Sequence, residues 1–269
     1  MHKSTINFIA SFTLLTTASV NAFAQHISDV GVAKNAVGQL TTNTIGSGGF
    51  EGARRVFTAT FGDTGIANFT GNPGFDALPG AFNPAFRIGF NIRSSLLVWN
   101  GNGFSQTDSG GPLLGEKIKM SFLSANVTTA ASAVAGFSLA IQPDGGWHRH
   151  FSFTILPAFG FTAPDVGIYL LELELWPTDP SLSMSEPFWI VMNQGSSAAN
   201  QELAQNWVED NLASSPCPAD FDLDGIVGGS DLAVLLSNWS GSGSGDIDGN
   251  GNVDGVDLAT LLSAWGSCQ

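Results

Sequence analysis

The sequence is poor in charged side chains and poorest in basic ones. Only 12% of its residues are charged, and 9 Lys and Arg stand against 23 Asp and Glu, which gives a formal net charge of −14. Apart from Arg54 and Arg55, the basic residues beyond residue 24 are scattered. The chain therefore lacks a basic patch that would meet a phosphate backbone, and we expect no nucleic-acid partner.

Sequence motifs of several enzyme classes are also missing. The chain contains no Walker loop, no dinucleotide-binding glycine fingerprint and no Gly-x-Ser-x-Gly elbow, so none of these signatures assigns an activity. Residues 25–269, which follow the apolar N-terminal segment, contain no apolar run long enough to cross a bilayer. We therefore expect no transmembrane span in the mature protein.

The N-terminal residues have the pattern of an export signal. A basic start at Lys3 precedes an apolar run from Ile6 to Val20, which ends in the small-residue sequence Ala22-Phe23-Ala24. This order is typical of a secretory signal peptide, here residues 1–24, with cleavage near Ala24–Gln25. We expect a secreted protein that is extracellular, bound at the cell surface or periplasmic.

The C-terminal part contains one aspartate-rich pattern twice, with an offset of 26 residues from Asp220 to Asp246. In such a loop the first, third and fifth places supply ligands to one calcium ion, and glycine at the sixth makes the turn. The seventh residue supplies its carbonyl, and the twelfth closes the shell. The candidate ligands are Asp220, Asp222, Asp224, Ile226 and Asp231 in the first loop, and Asp246, Asp248, Asn250, Asn252, Asp254 and Asp257 in the second.

The charge of this segment agrees with two bound calcium ions. Residues 213–269 contain eight aspartates and no Lys or Arg. Four carboxylates crowded into each loop repel one another unless a divalent cation neutralises them. The sequence therefore predicts that the segment folds poorly without calcium.

The repeat pair resembles a type I dockerin over roughly residues 217–268. Both loops are in register, and each continues into Leu-Ala-x-Leu-Leu-Ser-x-Trp, a pattern that predicts one packed helix face. The resemblance implies a small helical domain, residues 217–269, with two calcium sites and a cohesin-like partner. The repeat helices carry no Lys or Arg, which dockerins that bind cohesins typically have. Another cell-surface protein or a polysaccharide therefore stays open as partner.

The two cysteines, Cys217 and Cys268, flank the repeats. Two helices packed antiparallel would bring the ends of the segment together, and a disulfide across that span would add about 4 kcal/mol of stability. The alternative is a pair of free thiols.

Residues 25–212 form the body, where short apolar runs alternate with Gly, Pro and Asn. This pattern predicts a mainly β fold, an antiparallel β-sandwich with one C-terminal helix, followed by a linker at 213–216. The helix is expected from about Ser197 to Leu212, with Leu203, Trp207 and Val208 buried. The expected strands are Arg55–Phe61, Phe86–Ile92, Ser95–Trp99, Lys117–Phe122, Gly136–Ile141, His148–Leu156, Ile168–Leu175 and Phe188–Met192.

Two of these strands carry metal-ligating side chains. Alternation places His148 and His150 on one face of the first, and Glu172 and Glu174 on one face of the second. If the two strands form a hairpin, the four side chains share a face and could hold zinc, copper or another divalent ion, with His26 as a further ligand. The alternative is a set of exposed His–Glu pairs.

The body also resembles bacterial surface-anchored domains that have a histidine near the mature N-terminus and a Gly-x-His-x-His strand. The matching residues are His26, Gly146, His148 and His150. The resemblance names no activity.

We therefore expect a secreted, non-catalytic binding or structural protein with a calcium-stabilised attachment domain. One alternative is a polysaccharide hydrolase component, because dockerins often accompany such enzymes. Glycosidases need two carboxylates that face each other across a cleft, whereas Glu172 and Glu174, the evident pair, lie side by side on one strand. A second alternative is an extracellular metal-binding protein that uses His148 and His150. We predict no catalytic residues.

Overall fold

The computed structural model describes residues 29–35, 38–46, 49–106, 115–213, 217–222 and 224–268. The expected signal peptide (1–24), His26 and most of the expected linker lie outside these ranges. The described part is mainly β, with several sheets and three α-helices, so the mainly β prediction is confirmed. Within these ranges, no helix combines the length and apolarity needed to cross a membrane.

Each predicted strand overlaps an observed one, and further strands occur in Gly-, Thr- and Asn-rich stretches where no apolar run marks them. The strands are β1 (Val30–Lys34), β2 (Leu40–Gly46), β3 (Gly49–Ala53), β4 (Val56–Thr60), β5 (Phe69–Thr70), β6 (Phe75–Asp76), β7 (Arg87–Ile92), β8 (Leu97–Trp99), β9 (Phe104–Gln106), β10 (Lys117–Phe122), β11 (Ala125–Thr128), β12 (Val134–Ala140), β13 (Ser152–Leu156), β14 (Gly167–Pro177), β15 (Phe188–Gln194), β16 (Ile226–Val227) and β17 (Gly266–Ser267). The helices are α1 (Ala198–Val208), α2 (Gly229–Ser237) and α3 (Gly255–Ser263), and a π-helical turn (Glu209–Ala213) follows α1.

The strands of the body form three sheets around one core. The largest has the order β12-β7-β14-β15-β4; in addition, β8 pairs with β14, and β9 pairs with β8. The second has the order β3-β2-β1-β6 and the third β11-β10-β13-β5. Buried residues from all three sheets belong to the same apolar cluster, so the sheets share a single interior.

The long strands β14 and β15 are buried on both faces. Tyr169 and Leu171 of β14 face the central core, whereas the alternate residues Ile168 and Leu170 join a second cluster under α1. Because both faces of β15 are covered, residues 188–192 of this strand are all buried, and they form an unbroken apolar run in the sequence.

The predicted buried face of α1 is confirmed in part. Val208 is fully buried and Trp207 packs partly buried against the same cluster, whereas Leu203 is exposed and Ala204 is buried in its place. The Gln201 amide also donates hydrogen bonds to the backbone carbonyls of Ala59 and Val191, which connect the start of the helix to the sheet.

The predicted hairpin between the histidine strand and the glutamate strand is also wrong. β13 pairs with β10 and β5, whereas β14 pairs with β15, β7 and β8 in another sheet. Both strands bury one face in the same core, so alternation fixed the inward face of each without making them neighbours. The sheets are not wholly antiparallel either, because β15 pairs with β4, and β1 with β6, in parallel.

Phe151 lies at the centre of the body's core. Its ring contacts the rings of Phe75, Phe90, Phe122, Phe137 and Trp147, with centroid separations from 5.2 to 6.3 Å and tilted or edge-to-face geometry. Such pairs stabilise a core beyond the area they bury. The ring therefore links the segment 147–151 to several sheets at once.

Replacing Phe151 by alanine is expected to lower the free energy of unfolding by about 3–5 kcal/mol, because the cavity removes all five ring contacts. Phe159→Ala is the matched control, since Phe159 is 82% exposed; we expect it to change stability by less than about 0.5 kcal/mol. Chemical denaturation of both variants measures the difference. Equal midpoints for the two variants would contradict the assigned centre of the core.

The C-terminal segment has a small core of its own. Val227, Leu235, Val253 and Leu261, which are two repeat-related pairs, are fully buried in it. Cys217 and Cys268 form a disulfide with a Cα–Cα distance of 5.5 Å, so the expected bridge is confirmed. β16 and β17 pair beside it and join the first loop to the end of the chain.

The bridge encloses a sequence separation of 51 residues. Replacing both cysteines by serine is expected to reduce the stability of the C-terminal segment by about 4 kcal/mol, because the unfolded segment regains loop entropy. The fluorescence of Trp239 and Trp265 is not separable from that of the body, so hydrogen exchange of α2 and α3 is the measurement. Unchanged protection of these helices in the double variant would refute the expectation, while β14 and β15 serve as the internal control.

Candidate metal centres

The first aspartate-rich loop is folded around the carboxylate of Asp220. Its Oδ1 accepts the backbone N–H of Asp224 at 3.2 Å, and its Oδ2 accepts that of Gly225 at 2.9 Å. Gly225 has φ +84°, a left-handed conformation that glycine adopts without strain. The turn at the sixth place therefore has the predicted form.

The second loop repeats this geometry. Asp246 Oδ1 accepts the N–H of Asn250 at 3.1 Å, and Oδ2 accepts that of Gly251 at 2.8 Å. Gly251 has φ +87°. The two loops thus agree in backbone conformation as well as in sequence.

The twelfth-place aspartates connect each loop to its helix. Asp231 and Asp257 lie in the first turns of α2 and α3, and both are fully buried. Asp231 accepts backbone N–H groups of Phe221 and Gly228, each at 2.7 Å. Asp257 accepts those of Ile247 at 2.7 Å and Asp254 at 2.8 Å. Each carboxylate therefore fixes both ends of its loop.

The carboxylate oxygens converge closely enough to share an ion. One oxygen from each of Asp220, Asp222 and Asp224 lies within 4.8 Å of the others, and the same holds for Asp246, Asp248 and Asp257. Two oxygens on opposite sides of a calcium ion, each about 2.4 Å from it, are about 4.8 Å apart. The donor set, all oxygen, and its spacing fit calcium.

The side chains of the seventh-place residues, Ile226 and Asn252, are exposed, so neither side chain fills its loop. In the second loop Asn250 Oδ1 accepts the N–H of Asn252 at 2.8 Å, and Asp254 Oδ1 accepts that of Val256 at 2.8 Å. The ninth place is Asp254 in the second loop but Gly228 in the first, so only the second loop has a carboxylate at this place.

Burial makes the ionised first loop costly without a cation. It raises the pKa of Asp220, and the nearby Asp231 and Asp222 carboxylates add to this effect. Burial likewise raises the pKa of Asp224. Backbone N–H donors, that of Asp254 first, lower the pKa of Asp257. A divalent ion between these carboxylates would remove much of the repulsion.

The predicted cluster of two histidines and two glutamates does not form. Glu172 and Glu174 lie on β14 and contact Arg93 on the adjoining strand edge, Glu172 with 3.5 Å between Oε1 and Arg93 Nε. Asn91 donates a further hydrogen bond of 2.9 Å to Glu174. The hydrogen bond that Arg93 donates to Glu174 is the main cause of the raised pKa of Arg93. These carboxylates are engaged in an ion-pair network away from the histidines.

The histidines meet two other carboxylates instead. His148 Nδ1 lies 3.4 Å from Asp76 Oδ1, and His150 Nε2 lies 3.7 Å from Asp29 Oδ2. The predicted strand was too long here, because β13 begins only at Ser152. Sequence reasoning missed both aspartates because Asp29 precedes β1 and Asp76 lies on a two-residue strand, where no periodicity marks them.

Comparison of the sequence with protein-family models finds no matching family. Comparison with curated proteins likewise finds no match. The geometry of the two aspartate loops is therefore what points to a function.

Calorimetric titration of the calcium-free mature chain is expected to show two bound calcium ions. Asp222→Ala or Asp248→Ala should each remove one of them, since each variant deletes the third-place ligand of one loop. Glu202→Ala is the control, because Glu202 is an exposed acid on α1 outside both loops, and it should still bind two. A stoichiometry that is the same in all four proteins would refute the assignment of the loops.

Proposed function

We propose that the protein is an exported, non-catalytic binding or structural protein whose residues 217–269 form a calcium-stabilised, dockerin-like attachment domain. The observation that carries the proposal is the convergence of three carboxylate oxygens within 4.8 Å in each loop, from the first, third and fifth places in one loop and from the first, third and twelfth in the other. Its body, residues 25–212, is a sandwich-like β domain.

Calcium has a structural role in this proposal. The C-terminal segment buries few apolar side chains, too few to give a domain of this size much stability. Ion binding to the folded loops adds its binding free energy to the free energy of folding. The disulfide also stabilises the folded segment by a covalent link. It is consistent with an oxidising, extracellular location.

Exposed apolar side chains support attachment through α2 and α3. Leu236 and Leu262, which are repeat-related, are each 52% exposed, and the related pair Trp239 and Trp265 is 44% and 51% exposed. Each tryptophan lies three residues after its leucine, just beyond the C-terminal end of α2 or α3. Exposed tryptophans beside leucines are typical of residues that anchor protein interfaces.

The partner of this surface is a protein or a polysaccharide of the cell surface. The repeat helices carry no Lys or Arg, so recognition would rest on apolar and aromatic contact rather than on charge. A cohesin-like protein fits the repeat architecture, and stacking of Trp239 or Trp265 on sugar rings would fit a polysaccharide.

The engagement of Glu172 and Glu174 supports the non-catalytic part of the proposal. Both contact Arg93 from one strand, whereas a glycosidase places its two carboxylates on opposite sides of a bound sugar. The hydrolase alternative therefore has no support from this pair.

In the presence of calcium, the mature chain is expected to bind the surface fraction of its source cell, and a chelator of calcium is expected to release it. Trp239→Ala combined with Trp265→Ala should weaken binding about tenfold or more, because both exposed anchors are removed. Phe161→Ala is the control, since Phe161 is an exposed aromatic residue of the body. A cohesin panel and a polysaccharide panel identify the class of partner.

Calcium-independent binding, or an unchanged affinity of the tryptophan variant, would contradict attachment through this domain. Sustained release of reducing sugar from the polysaccharide panel would instead contradict the non-catalytic assignment.

A further inference from the structure

We propose that a cavity between the body and the C-terminal segment binds an acidic saccharide, with Arg54 and Arg55 as the groups that attract its carboxylate. Calcium in the two loops strengthens this binding. The inference rests on the proposed function, because it needs calcium in the loops, and it adds a ligand class and a binding site in another place.

The cavity has a volume of about 460 Å³. The body contributes residues 52–56, where β3 ends and β4 begins, and the C-terminal segment contributes residues around Asp220 and Asp246. Sites for small ligands commonly have volumes of about 300–1,000 Å³. The cavity is therefore large enough for a short saccharide.

Arg55 brings a buried positive charge with little compensation to the wall of this cavity. Its side chain is only 11% exposed, and the carboxylate of Glu186, 3.6 Å away, belongs to an exposed side chain. Burial lowers the pKa of Arg55, and the attraction of Glu186 offsets only part of this effect. A buried cation without a close counter-charge is costly, so an anion in the cavity would stabilise Arg55.

The hydrogen bonds of Arg55 are also incomplete. Nη2 donates to the carbonyl oxygen of Ala213 at 2.9 Å, whereas Nε is buried and has no hydrogen-bond partner among the described residues. The guanidinium carbon lies 5.4 Å from the centre of the Trp189 ring. The guanidinium is thus held in position by the body while its charge remains available to a ligand.

Arg54 lies beside Arg55 and is held in a similar way. Its Nε donates to the carbonyl oxygen of Val56 at 2.7 Å, and its guanidinium carbon lies 5.5 Å from the centre of the Phe57 ring. These two contacts leave the terminal nitrogens for a ligand. A guanidinium whose position is fixed binds a carboxylate through two parallel N–H donors.

The rest of the wall supplies groups that suit sugar hydroxyls. The exposed Ser244 and Gly243 line the cavity on the side of the C-terminal segment, and the carboxylate residue Glu209 lines it on the side of the body. A sugar hydroxyl can donate to a carboxylate and accept from an N–H or O–H group. A ligand that carries both a carboxylate and hydroxyls therefore matches this wall better than a simple anion, which Glu209 would repel.

Calcium changes the charge beside the cavity. The two arginines share its wall with three acidic residues, Glu209, Asp220 and Asp246. Asp220 and Asp246 are the first-place residues of the two loops, so a calcium ion in each loop adds two positive charges next to one of them. The repulsion of a ligand carboxylate then falls, and we expect saccharide binding to depend on calcium.

The test is calorimetric titration of the full mature chain with trigalacturonate, in saturating calcium and again in excess chelator. The wild type should bind one trisaccharide per chain in calcium, and the chelator should weaken binding by about tenfold or more. Titration of the trisaccharide into the calcium buffer alone measures the heat of its own calcium binding. Calcium stoichiometry is measured separately on the same protein.

Variants of the two arginines test the carboxylate site. Arg54→Gln and Arg55→Gln should each weaken trisaccharide binding by about tenfold or more, because a charged donor is lost. Arg55→Lys keeps the charge but lacks the planar pair of donors, so it should also bind more weakly. Melting temperatures show whether each variant is folded, and Arg55→Lys replaces Arg55→Gln if the latter is not.

Two further variants separate the cavity from the surrounding charge. Ser244→Trp fills the cavity from an exposed position, so it should abolish trisaccharide binding and still bind two calcium ions. Arg93→Gln is the matched control, because it removes one positive charge from a partly exposed arginine outside the cavity. It should bind the trisaccharide as the wild type does.

The possible failures are distinct. Two bound calcium ions without trisaccharide binding would overturn this inference and leave the proposed function standing, whereas absence of bound calcium would contradict both. Equal affinity in calcium and in chelator would refute the calcium dependence. Equal affinity for the neutral maltotriose would refute the acidic class, and tighter binding of a tri-glutamate peptide would assign the cavity to an acidic peptide instead.

Discussion

The packing of Phe151 among five other aromatic rings is the interaction on which the body depends. The ring joins strands from different sheets, and its neighbour Trp147 is buried with it. Because these two side chains point inward, the residues between them, His148 and His150, are left at the surface beside β6. The core thus places His148 beside Asp76 and His150 beside Asp29.

The C-terminal segment is stabilised in another way. Its core consists of a few repeat-related apolar side chains, and its loops concentrate negative charge around Asp220 and Asp246. Buried Asp231 and Asp257 organise the loop backbones through N–H donors, and the disulfide closes the ends. Hydrophobic burial dominates the body, whereas covalent and electrostatic constraints dominate this segment.

The local features were predictable from sequence. Apolar runs located strands such as β10 and β15, and the aspartate spacing located both loops with their glycine turns. Strands such as β2 and β3 were missed because Thr, Asn and Gly give no periodic apolar signal. On α1 the burial of Val208 was predicted correctly and that of Leu203 wrongly, because Ala204 packs on the sheet and Leu203 is exposed.

By itself the sequence determined the features that depend on neighbours along the chain: the two aspartate-rich loops, their helices and the inward face of each strand. Only the tertiary structure decided which strands are adjacent, because alternation fixes a face but not a partner. His148 and His150 therefore meet Asp76 and Asp29 rather than Glu172 and Glu174. Those contacts join segments remote in sequence, where packing of the shared core selects the pairing.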